Sequence, residues 1–414
     1  MSKGFKVRRT KTRIYRRNRS KSHSPLGIAA AVLFVAGLFV LGWFVYPPVY
    51  DLITGKTSLK IKPDAVSSAP YVSPSEIVTL TPEKPAEPEP EPKSDELKML
   101  YAPYDIVKNA AELEKLAQKA KAAGCNTLLF EVKDNNGNVL YKTANETALN
   151  SGAVAKDAFD LKQVAEALAK HGLKPAVRLH TFKDHAVSRK NIKMAVHYMN
   201  SSGLWLDNYA DKGGRSWLNP YDSSAQEYNI ALAQECADAG AVLVIADSVQ
   251  FPNAVGMNLA SYGDTHDVTW EQTLEQFVVK MEDALTQKGA QLAVGAVGSS
   301  VTSGYSKLEY LGKPLQYKAQ LAINCMPAYW EWQSPKPNEA PVKTAGATLS
   351  QTLKPVQAAK KELIPYVQCY TDSKIKEVNN KPYTKAEVDE QLAVLKELGL
   401  ESYILYSPDG IYPF

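Results

Sequence analysis

The sequence predicts an α/β fold, a (β/α)8 TIM barrel preceded by a single transmembrane helix and a Pro-rich linker. Three observations carry the prediction. Eight apolar runs of strand character follow one another from residue 98 to the C-terminus, and segments of helical period lie between them. One of these runs, AVLVIADSVQFP at 241–252, closes on a single aspartate and a Phe-Pro stop. Parallel strands buried on both faces read as such runs, and a carboxylate at the C-terminal end of one stands where these barrels hold their chemistry.

The elements follow in chain order. Residues 1–25 form a basic tail: the first 50 residues carry ten Lys or Arg and no acid, so the +4 of the whole chain leaves −6 for everything after them. Residues 26–46 (LGIAAAVLFVAGLFVLGWFVY) hold no charge over 21 positions, close to the roughly 20 that cross a bilayer as a helix. Trp43 and Tyr46 sit near one end as interfacial aromatics, and the basic excess before the span predicts a cytoplasmic N-terminus and an extracellular barrel. A cleaved signal peptide has a shorter apolar region ending in small residues, whereas this one ends in WFVYPPVY. The basic tail is thus explained by topology and anionic lipid, and no nucleic acid partner is expected. Residues 47–97 contain the tract TPEKPAEPEPEPK, whose alternating Pro and Glu favour an extended, self-repelling spacer.

Residues 98–414 read as the barrel. Strands are predicted at 98–103, 127–132, 174–182, 241–247, 291–297, 321–326, 363–370 and 402–407. Helices are predicted at 109–124, 160–172, 223–240, 273–289, 352–363 and 385–399, several ending in Gly just before the next strand. Right-handed βαβ units of this kind close into one barrel. The helix between the fifth and sixth strands is weakly marked, and none follows the eighth. The cysteines Cys125, Cys236, Cys325 and Cys369 lie far apart in apolar segments and read as buried thiols, with a Cys325–Cys369 disulfide as the alternative.

Period two sorts strand residues between barrel interior and helix layer. With Val177 and Leu179 facing the helices, Arg178 and His180 face inward; Glu131 and Lys133 share a face; Asp247 follows Leu243 and Ile245; Asn324 and Gln368 take interior positions. Arg178 then stands between Glu131 and Asp247, since buried charges persist only when paired.

Four blocks carry a resemblance: 131–141 (EVKDNNGNVLY), 176–184 (AVRLHTFKD), 217–221 (WLNPY) and 247–252 (DSVQFP). In this order and spacing they resemble a family of glycoside hydrolase-like barrels long known as a domain of unknown function, over residue 98 to the C-terminus. The chain looks like a divergent member. Glu131 stands where the family has Asp, Ser248 where it has Tyr, Gln250 where it has Arg, and Gly295 where the fifth strand usually brings a further Asp. The resemblance implies a glycosidase. Such chemistry ordinarily uses two carboxylates, about 5 Å apart for retention or about 6.5–9.5 Å for inversion. Asp247 is the candidate nucleophile or base, with Glu131 as its catalytic partner and Glu331 or Asp372 as further possibilities.

Loop aromatics fit a carbohydrate. Trp205, Trp217, Tyr209 and Tyr221 follow the third strand, Tyr305 the fifth, and Tyr329, Trp330 and Trp332 the sixth; exposed rings there stack on sugar faces, unless the long loops bury them as satellite cores. The substrate-binding set is therefore Arg178, His180, Lys133, Trp217, Tyr221, Asn324, Trp330 and Gln368. No metal or cofactor is expected: Asp134-Asn-Asn-Gly-Asn138 has the pattern of a β-turn rather than a calcium loop, and His180 and His185 have no third ligand. Two functions follow. One is a membrane-anchored extracellular glycosidase acting on cell-wall polysaccharide or a peptidoglycan-type glycan. The other is a catalytically degenerate barrel that binds glycan or scaffolds an envelope assembly.

Overall fold

The computed structural model describes residues 96–254, 256–297, 309–328, 362–372 and 382–414. The basic tail, the predicted span at 26–46 and the linker up to residue 95 lie outside the described residues, as do most of the helix predicted at 352–363 and the loop residues Tyr305, Tyr329, Trp330, Glu331 and Trp332. Among the described residues no helix is long and apolar enough to cross a membrane.

Eight parallel strands close into a barrel: β1 (Lys98–Ala102), β2 (Thr127–Lys133), β3 (Lys174–His180), β4 (Leu243–Asp247), β5 (Gln291–Val297), β6 (Gln320–Asn324), β7 (Leu363–Gln368) and β8 (Tyr403–Tyr406). Each pairs with the next, and β8 pairs back onto β1, with Lys98 opposite Tyr403. All eight coincide with the apolar runs. Between them lie α1 (Ala110–Ala122), α2 (Leu161–Ala169), α3 (Ser223–Asp238), α4 (Trp270–Thr286) and α5 (Lys385–Glu397). Side chains of Asn109, Asp160, Asp222, Thr269 and Thr384 accept from the first free N–H groups of these helices. That satisfies donors which would otherwise have no partner. Gly240 ends the turn after α3 at φ +98, a conformation that a side chain resists.

The barrel wall separates two cores. Met99, Tyr101, Leu129, Ala176, Leu243, Ile245, Ala293, Ile364, Tyr366 and Ile404 fill the interior, while Leu100, Phe130, Val177, Val244, Leu292, Ile323 and Leu405 face the helices. The alternation is the expected one. It breaks once, at a bulge between Glu131 and Lys133: Glu131 pairs with Arg178, but Lys133 pairs with Leu179, so Val132 is an extra residue. Lys133 therefore leaves the face of Glu131 and joins the helix layer, contrary to the strict alternation. After β2 the chain adds a short strand (Val139–Tyr141) antiparallel to it and another (Val154–Phe159) beside that. Three residues are too few to register as a strand in sequence. All four cysteines are buried and free, so the Cys325–Cys369 disulfide does not form.

Candidate active site

Asp247 is the last residue of β4, and the interior positions Leu243 and Ile245 below it carry its side chain into the barrel mouth. On β3, Ala176 likewise sets Arg178 and His180 inward, with Arg178 paired to Glu131 on one side and to Ile245 on the other. The Arg178 guanidinium binds Glu131 through Nη2 at 2.8 Å and faces Asp247 through Nε at 3.5 Å. His180 Nε2 lies 3.6 Å from the same Glu131 oxygen, and its Nδ1 meets the Ser248 hydroxyl at 2.8 Å. Sequence parity thus brings Glu131, Arg178, His180 and Asp247 together.

Ser248 holds the strand end in place. Its φ of +55 is left-handed, unusual for a side chain bearing a Cβ, and its N–H donates to Asp247 Oδ1 at 2.7 Å. Thr181 fixes this turn from β3: its hydroxyl donates to the carbonyls of Asp247 (3.0 Å) and Ser248 (2.8 Å). Such strain persists where neighbours over-determine it.

The electrostatics favour charge on both acids. Burial pushes the Asp247 carboxyl up, but His180, the Arg178 charge and the Ser248 N–H outweigh it and hold the group below the usual carboxylate range. Glu131 is held low in the same way, burial being outweighed by its hydrogen bond to His180 and the Arg178 charge. Burial opposes the charge on Arg178 too, yet Tyr366, Asp247 and Glu131 keep it firmly protonated. Because both ion pairs share one guanidinium, the two carboxylates lie within about 9 Å of each other. That bound does not exceed the upper end of the span of hydrolysing pairs, about 5–9.5 Å. Neither carboxyl, however, is kept protonated as a general acid must be.

A cavity of about 310 Å³ opens over Asp247, lined by Arg178, Gln250, Gly295, Asn324, Tyr366 and Tyr406. The side chain of Asp247 is 32% exposed there, against 18% for Glu131. Gly295 faces the carboxylate so closely that a Cβ on it would come 3.1 Å from Asp247 Cγ. The carboxylate thus occupies space that a larger residue on β5 would reach.

The other sequence candidates fall elsewhere. Lys133 is fully buried and points away from the mouth, bonding Asp184 Oδ2 at 2.8 Å, Asn229 Oδ1 at 2.8 Å and the Thr181 carbonyl at 3.0 Å. It is a structural cation, because the bulge moves it to the helix layer. Trp217 is buried with Trp205 and Val196 in a satellite core under the loop after β3; its indole N–H donates to Asp207 at 3.0 Å, and that of Trp205 to the Gly256 carbonyl at 3.0 Å. Neither ring is free to stack on a sugar. Tyr221 packs in an aromatic cluster with Phe251 and Tyr262, and its hydroxyl donates to the Val268 carbonyl at 2.6 Å. Gln368 faces inward but is spent on the loops: it accepts from the Ala328 N–H at 2.8 Å and donates to the Tyr370 carbonyl at 3.0 Å. Asp372 lines an adjoining groove rather than the cavity of Asp247. Trp330 and Glu331 lie outside the described residues.

Sequence reasoning missed the tyrosines. Tyr406 packs against Tyr101 at 4.7 Å and Tyr366 at 5.7 Å, forming an aromatic wall beside Arg178. Burial pushes the Tyr366 hydroxyl up to about 12, so it stays a neutral donor. All three occupy interior positions by the same period-two rule that located Asp247. Among the described residues, no group of three or more His, Cys, Asp or Glu is placed to hold a metal ion.

The molecule is a closed (β/α)8 barrel that gathers carboxylates around an arginine at its C-terminal mouth, the end at which such barrels hold their function. The chain belongs to the family described as "Putative glycosyl hydrolase domain", whose profile matches residues 99–412. The fold is similar to the PgaB (BpsB) glycoside hydrolase domain from Bordetella bronchiseptica, at 13% identity and a TM-score of 0.55, covering 76% of this chain and 94% of that one. A hypothetical protein from Ruminiclostridium thermocellum is 24% identical, with a TM-score of 0.42, over 47% of this chain and 96% of its own. No curated protein matches the sequence.

Proposed function

We propose that this protein is a glycosidase tethered to the cell membrane, whose barrel acts outside the cell on cell-wall or extracellular polysaccharide, including peptidoglycan-type glycan. One observation carries the enzymatic part: Asp247 projects into the mouth cavity and is held ionised there by His180 and Arg178. An ionised carboxylate facing the sugar supplies what an oxocarbenium-like transition state needs, whether as nucleophile, base or counter-charge. Glu131 fixes Arg178 from the opposite side, and Asn324, Tyr366 and Tyr406 offer polar groups and ring faces to sugar hydroxyls. The tether rests on the apolar span at 26–46, the basic residues before it and the Pro/Glu spacer after it.

A second reading, a barrel that binds glycan without turnover, is favoured by Gly295 in the family's carboxylate position and by the absence of a protonated acid between Glu131 and Asp247. Sugar release from a panel of wall polysaccharides separates the two. The glycosidase reading expects Asp247→Asn to lower release by about 10²–10⁴-fold. Binding by the wild type with no release overturns it. Protease protection in intact cells tests the topology: the barrel should be cleaved from outside and the basic tail should not.

A further inference from the structure

We infer that the glycan is engaged as a chain, running from the Asp247 cavity past Tyr370 into a second groove above β7 and β8. This deepens the glycan reading of the mouth and rests on it. The second groove is the larger, about 580 Å³ against about 310 Å³. Tyr370 lines both, so the two spaces adjoin at this residue. Both lie at the C-terminal ends of the strands, the end that carries function in such barrels.

The lining of the second groove is suited to a sugar ring, which presents flat apolar faces and a polar rim. Tyr383, Ile411 and Pro408 supply apolar walls, while Asp372 and Asp409 supply hydroxyl acceptors. Beneath them the buried Tyr412 donates its hydroxyl to the Tyr101 and Leu405 carbonyls, which anchors the segment carrying Ile411. Asp409 is likewise set in place, accepting from the Ser407 hydroxyl at 2.7 Å and the Ile411 N–H at 3.0 Å. Rigid aromatic and acidic groups beside an already formed cavity are the features of a second subsite. The mouth cavity alone sits at the small end of ligand pockets, about 300–1,000 Å³, so a polymer needs the additional length.

Titration calorimetry on the full chain tests this, using the disaccharide, tetrasaccharide and hexasaccharide of chitin, cellulose and peptidoglycan glycan strands. The wild type should bind the hexasaccharide of one series at least tenfold more tightly than its disaccharide. Tyr383→Ala should remove about tenfold from the hexasaccharide and leave the disaccharide unchanged, and Tyr383→Phe should restore it. Equal affinity for the short and long members of a series refutes the second groove and leaves the glycan reading standing. An equal loss on both lengths in Tyr383→Ala, or no loss on either, also refutes the groove. Binding to none of the three series refutes the glycan reading itself and the chain inference with it.

Discussion

Replacing Asp184 by Asn removes the counter-charge of Lys133 at a point where neither side chain has any solvent exposure. The ammonium then keeps only the Thr181 carbonyl, the Asn229 amide oxygen and the Tyr228 ring, whose centroid lies 4.7 Å away. Breaking one side of a buried ion pair costs about 3–5 kcal/mol, because a charge is left without compensation. The pair itself is not a net source of stability. Burial pushes Lys133 down and Asp184 up, each toward its neutral form, despite their mutual attraction. With the Asp184 value raised on folding, its contribution falls as pH rises through that window; with the Lys133 value lowered, stability recovers only as alkali removes the charge. Lys133→Met and Asp184→Asn should therefore each lower stability by about 3–5 kcal/mol, whereas Lys133→Met with Asp184→Leu should lose far less than the two single changes combined. Urea unfolding followed by tryptophan fluorescence, at constant slope, measures all of these. A shift of under about 0.5 kcal/mol in Asp184→Asn, or simple additivity in the double variant, refutes the reasoning.

Three further outcomes are expected. Glu131 and Asp247 are held below the usual carboxylate range, so the stability they contribute is present above about pH 4 and is lost as pH falls through their folded values; Glu131→Gln should flatten the acid limb of the unfolding midpoint. Gly295→Ala should cost about 1–3 kcal/mol in thermal unfolding, because the new Cβ presses on a carboxylate that Ser248 and Arg178 hold in place. Trp217→Ala should cost about 3–5 kcal/mol in stability yet leave glycan affinity unchanged, since its ring belongs to the satellite core; a selective loss of affinity would return it to the substrate.

Much of the barrel was legible because its strands are buried on both faces, where near-continuous apolar runs differ from every loop around them. The mouth was legible wherever side chains obey alternation: Asp247, Arg178, His180 and Glu131 meet as period two requires. Lys133 was misplaced by the one-residue bulge at Val132, a backbone event that leaves no compositional trace. Trp217 and Tyr221 fall outside the lining of the mouth cavity for another reason. An aromatic loop residue has the same sequence signature whether its polar atom meets a sugar or, as here, Asp207 and the Val268 carbonyl. The tyrosine wall was overlooked since Tyr101, Tyr366 and Tyr406 read as ordinary strand residues.

The arginine seated between two acids gives the mouth its own internal counter-ion. One positive and two negative groups leave a single net negative charge, and buried pairs of this kind feel dissolved salt far less than surface charges do. Capture of a ligand at this mouth should then depend weakly on ionic strength. Discrimination then falls to shape and hydrogen bonding.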